Sequence, residues 1–87
     1  MGEKAIGMKL AACANIFPID SVFQWLGEMQ HEKECVLLLK TLPSHKESLQ
    51  EWIIQAHTYE VPCIISWEVD VNEAYGFWIK ECLTTAN

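Results

Sequence analysis

His57, Tyr59 and Glu60 bring an imidazole, a phenol and a carboxylate into four consecutive positions of an 87-residue chain. Imidazole and carboxylate both suit copper(II) and zinc(II), so His57 and Glu60 are candidate metal ligands. Two or three ligands from one loop make a weak site, and a strong one would need a further element or another subunit. The plainer alternative is a well-packed turn with a solvated glutamate. Pro62 stiffens the exit from this stretch, and polar groups held at a junction between regular elements are a common form of binding site. His31, among Glu28, Glu32 and Glu34, reads as a solvated loop that collects cations only loosely. No nucleophile elbow, metalloprotease helix or phosphate loop occurs. The chain therefore reads as non-enzymatic.

Composition limits the partners. Twelve acids against six lysines and no arginine give a formal net charge of −6. Such a chain offers no basic stripe for nucleic acid or for an anionic membrane surface. No apolar run approaches the ~20 residues that cross a bilayer. The four cysteines, at 13, 35, 63 and 82, form no C-x-x-C pair and lie in apolar runs. They read as reduced, buried thiols of a cytoplasmic protein. Residues 1–87 are expected to form one domain. Half of the residues are apolar, 51%, and four are tryptophan. That is much apolar mass for a chain that buries only about 60–65% of its unfolded surface, so part of it is expected to be covered by a partner chain.

The elements that position these groups follow from periodicity. Ile6, Leu10 and Cys13 lie at i, i+4 and i+7 and predict a helix over 3–13. Alternation predicts a strand over 16–26, with Pro18 favouring an edge or a bend. The polar run 27–34 suits a hairpin tip, and the apolar run 35–39 a central strand buried on both faces. Ser44 and Glu47 form a Ser-x-x-Glu capping box for a helix over 41–56, which lays Leu49, Trp52, Ile53 and Ala56 on a sheet. A period of two predicts a strand over 61–69. Tyr75, Trp78, Ile79, Cys82 and Leu83 form one face of a last helix capped by Asp70 or Asn72. The order is α-β-β-α-β-α. With one more strand in front it becomes βαββαβ plus a C-terminal helix, a ferredoxin-like α+β fold with an antiparallel sheet and helices on one face. The chain thus starts one strand late, and Met1-Gly2 reads as a start joined to a cut helix.

Five motifs, in order and compatibly spaced over about residues 5–83, carry a resemblance. Leu10-Ala11-Ala12-Cys13-Ala14-Asn15, Trp25-x-Gly27-Glu28, the strand 36–39 ending in Lys40-Thr41, His57-Thr58-Tyr59-Glu60-x-Pro62, and Tyr75-x-x-Trp78 together resemble the CutA divalent-ion tolerance family. Thr58 stands where the motif has proline, and Leu26 where glutamate is frequent. The resemblance implies a ferredoxin-like, PII-like subunit in a homotrimer whose strands pair across subunits. It implies tolerance of divalent metals, copper(II) in particular, with Cys13 and His57 associated with the metal. As a helix-packing thiol, Cys13 has a structural role as well. In the family's fold the absent first strand is central. Without it, the strand over 61–69 must close directly on the sheet, borrow a neighbour, or leave an open edge. Two other functions stay in view. A PII-like module would hold a small molecule between subunits near Lys40, Tyr59 and Trp78, and a structural trimer would hold no specific ligand.

Overall fold

The computed structural model describes residues 1–57 and 62–84. Its elements run α1 (Gly2–Gly7), β1 (Cys13–Trp25), β2 (Glu28–Lys40), a 3-10 turn (Pro43–His45), α2 (Lys46–Ala56) and α3 (Glu73–Thr84). The molecule is α+β, with a two-stranded antiparallel sheet among the described residues.

The first helix is shorter than its periodicity predicts, and the cause is local. Lys9 takes a left-handed φ of 58°. Its N–H reaches the Ile6 carbonyl at 3.0 Å, while the Leu10 N–H reaches that of Ala5 at 2.9 Å. This pair of bonds is a Schellman motif, which ends a helix. Cys13 therefore opens β1 rather than closing a helix. The small residues around this stop allow close packing. A Cβ on Gly2 would stand 3.1 Å from the Ala14 Cβ and 3.4 Å from the Leu37 Cδ1.

β1 and β2 pair from Cys13–Lys40 out to Trp25–Glu28 without a slip. The turn is Leu26-Gly27, with φ of 53° and 81°. Two positive φ values in a two-residue loop mark the type I′ geometry that suits the right-handed twist of the strands. The polar run 27–34 is thus strand and not hairpin tip. Cross-strand pairing overrides its composition, and leucine at a turn position hid the true tip. Nor is the run 35–39 buried on both faces, since Cys35 and Leu38 are exposed and Val36, Leu37 and Leu39 are half-buried. A sheet of two strands cannot enclose it.

Pro43 sits at the first position of the 3-10 turn, and the helix start is therefore set by Leu42 and Pro43. The Ser44–Glu47 capping box does not form. α2 begins without a side-chain cap, and the Ser44 hydroxyl lies 3.1 Å from Nδ1 of His45.

The interior is divided. Ala5, Ala11 and Leu49 form one cluster, with Leu10, Leu39, Trp52 and Ile53 packed against it. Ala12, Ile79 and Leu83 form another, joined by Leu42, Tyr75 and Cys82. Residues 62–72 carry no helix and no sheet pairing. The strand predicted over 61–69 thus has no ladder partner among the described residues, and Val61 lies outside them. Its apolar side chains follow the predicted alternation but face outward. Ile65 is 76% exposed and Trp67 65%, with Val69 and Val71 exposed as well.

Candidate functional site

The residues singled out by sequence fall in different places. Cys13 is the first residue of β1, directly across from Lys40 in the register. Its thiol lies 3.7 Å from Oδ1 of Asn15 and is half-buried. His57 caps the C-terminal end of α2, with φ of −75° and ψ of 141°, and its backbone N–H donates to the Ile53 carbonyl at 2.9 Å. The chain leaves the helix at this residue. The residue thus follows the last turn of α2, the end of a helix that carries the negative pole of its dipole. Glu60, Tyr59 and Thr58 lie outside the described residues. Among the described residues, no three His, Cys, Asp or Glu side chains gather as a metal cluster. All four cysteines are free thiols, and Cys35 and Cys63 are exposed rather than buried.

A second group forms where β2 ends. The Lys40 backbone is held in place on two sides. Its carbonyl accepts the Ala12 N–H at 2.8 Å, and the next residue, Thr41, donates its hydroxyl to the Leu10 carbonyl at 2.7 Å. The Lys40 ammonium reaches the Tyr75 hydroxyl at 3.4 Å, within a partly buried setting. It also lies 5.4 Å from the centre of the Tyr75 ring, inside the ~6 Å reach of a cation–π contact. Tyr75 and Trp78, one helical turn apart on α3, stack with centroids 5.5 Å apart and an interplanar angle of 28°. Ile79 and Leu83, buried against Ala12, fix the helix that carries them. The Tyr-x-x-Trp spacing located two members of this group. The small-molecule reading of the sequence names Lys40 with Trp78, beside Tyr59, which lies outside the described residues; the partner of Lys40 in the structure is Tyr75.

The far half of the hairpin offers less. From Ile19 to Glu34 every residue but Ser21, Gln30 and Glu34 is exposed. An open depression of about 220 Å³ there is lined by Asp20, Ser21, Val22, His31, Glu32 and Lys33. Its one ion pair, Lys33 to Asp20 at 3.3 Å, is solvated on both sides, and such pairs contribute little. His31 is thus a strand residue on an open surface, opposite Val22. No helix of the described residues is long and apolar enough to cross a membrane.

The long hairpin with helices beside it is α+β, and comparison with solved structures places it with the PII-like, ferredoxin-like proteins. CutA1 from Pyrococcus horikoshii superposes with a TM-score of 0.90 at 34% identity, over 95% of this chain and 82% of that one. The PII-like protein CutA from Nostoc superposes with a TM-score of 0.88 at 28% identity, over 94% of this chain and 82% of that one. Residues 1–82 match the model of the CutA1 divalent ion tolerance protein family, and the chain belongs to that family. Among curated relatives, the divalent-cation tolerance protein CutA of Thermotoga maritima is 34% identical over 82 residues, 93% of this chain and 81% of that protein. The CutA homolog of Danio rerio is 35% identical over 86 residues, 97% of this chain and 57% of its own length. The chain spans about half the length of several such relatives, 50% of the Xenopus laevis homolog and 45% of the chloroplastic Arabidopsis thaliana protein.

Proposed function

We propose that this chain is a non-enzymatic, cytoplasmic divalent-cation tolerance protein that works as a homotrimer and binds copper(II) or a similar divalent ion. His57 and Glu60 supply the ligands from one subunit, and Cys13 is the additional candidate. The observation that carries the reading is the position of His57. His57 is the residue that closes the C-terminal end of α2, the end at which the helix dipole favours a cation. The formal charge of −6 acts in the same direction at longer range. Family membership supplies the context. Four free thiols accord with a reducing compartment, although relatives are named chloroplastic, and the protein from Archaeoglobus fulgidus periplasmic.

Isothermal titration with copper(II), repeated with redox-inert zinc(II), tests the assignment. His57→Ala is expected to weaken binding at least about tenfold, roughly 1.4 kcal/mol, and Glu60→Gln to weaken it less. Unchanged affinity in His57→Ala removes this residue from the site.

A second reading, a PII-like small-molecule module, is favoured by one observation. Lys40, Tyr75 and Trp78 form one polar and aromatic group at the end of β2.

A further inference from the structure

We propose that Lys40, Tyr75 and Trp78 form a binding site for a small organic anion whose carboxylate is attached to a flat ring, that is, an aromatic carboxylate. The inference rests on the small-molecule reading above, names the ligand class, and is independent of the metal assignment.

The argument starts from the lysine. An ammonium has three donors and no acceptor. In this group one donor is engaged by the Tyr75 hydroxyl, an uncharged partner. Among the described residues no carboxylate is paired with Lys40, while Lys33 is paired with Asp20. This is notable in a chain with twice as many acids as lysines. A half-buried cation whose one polar partner is a neutral hydroxyl is incompletely compensated. A carboxylate would complete it through charge-assisted bonds, the stronger class.

The aromatic half follows from Trp78. Its indole is stacked on Tyr75 on one side, and within the single chain it remains 45% exposed. A large aromatic side chain fixed in orientation and not covered by its own chain is a ready surface for a planar group. The ligand's ring would lie on it while the carboxylate meets Lys40. Both halves sit on fixed supports. The Lys40 backbone is pinned by Ala12 and, through Thr41, by Leu10, and α3 is seated by Ile79 and Leu83. Little ordering is left to oppose binding.

The probe is benzoate, with acetate as charge without ring and benzamide as ring without charge. Binding is followed by NMR on the intact protein, through the Trp78 indole and the Lys40 signals. Benzoate is expected to shift both sets saturably, and to bind at least about tenfold more tightly than either control. Lys40→Gln is expected to lose about tenfold or more. Trp78→Phe keeps binding, and Trp78→Ala weakens it severalfold. Circular dichroism checks each variant. The wild-type titration decides even where a variant does not fold. Absence of benzoate shifts at Trp78, acetate binding as tightly as benzoate, or a folded Lys40→Gln with unchanged affinity each overturns the site. A thermal-shift screen of metabolites then separates the two levels. A hit of another class leaves the small-molecule reading standing without this ligand class, and no hit ends both.

Discussion

Ser44 illustrates how far a residue pattern can be trusted. The Ser-x-x-Glu spacing predicts that losing the hydroxyl costs about 1 kcal/mol. In the structure that hydroxyl faces the neighbouring His45 ring, in an exposed position, and caps nothing. Ser44→Ala is therefore expected to change stability by less than about 0.5 kcal/mol in urea unfolding, and a loss near 1 kcal/mol would restore the capping box. The residues of the candidate sites were legible to different degrees. His57 stood out because a titratable ring followed an amphipathic run, and it does sit at that boundary. Cys13 was placed on a helix because Ile6, Leu10 and Cys13 share helical spacing. A left-handed lysine, a conformation that lysine's side chain does not announce, ended the helix first. Lys40 was legible as a candidate through its motif, but its pairing with Tyr75 was not, since the two lie 35 residues apart and no local pattern records such a contact.

At the scale of elements, periodicity identified types better than boundaries. The amphipathic stripes of α2 and α3 put Leu49, Ile79 and Leu83 in the interior as expected. The sequence predicts the hairpin but puts its tip over 27–34, whereas the turn is Leu26-Gly27. Leucine is a poor marker for a turn, and Leu26 adopts a positive φ only because the paired strands impose it. Type I′ turns favour asparagine at that position. Leu26 is 89% exposed, so Leu26→Asn removes little packing within the subunit. It is expected to stabilise the hairpin by about 1 kcal/mol, the scale of the left-handed penalty, read as a higher midpoint in thermal unfolding. A lower midpoint would mean that Leu26 is packed against another subunit. The strand predicted over 61–69 has the right alternation at 65, 67 and 69. It fails to become a sheet strand in one subunit because backbone pairing needs a neighbour, which sequence periodicity cannot supply.

The whole molecule is long for its size. Its radius of gyration is 15.2 Å, against about 12 Å for a compact chain of this length. Thirteen-residue strands, about 44 Å at roughly 3.4 Å per residue, account for its longest dimension of 48 Å. A lone hairpin is marginal in water. This one projects its far half without a covering helix, while residues 62–72 hold out an unpaired apolar edge. Together these features support self-assembly. Light scattering is expected to give about 30 kDa, three times the chain's 10.0 kDa. A double change, Ile65→Lys with Trp67→Glu, is expected to shift that mass toward the single chain. A monomeric parent protein would remove the trimer from the proposed function, and an unaltered mass in the double variant would exclude this edge from the contact.

The hairpin's register has one more result. Because alternate residues share a face, Glu28, Glu32 and Glu34 lie on the same side of β2, with Gln30 between them. Lys33, the strand's basic residue in that stretch, points to the other side with Asp20. Three like charges along one strand repel one another through water. At an ionic strength of about 0.1 M the screening length is about 10 Å, comparable to their spacing. Dissolved salt is thus expected to weaken this repulsion along β2 while also loosening the Lys33–Asp20 pair, and thermal unfolding at low and high ionic strength reads which of the two is larger.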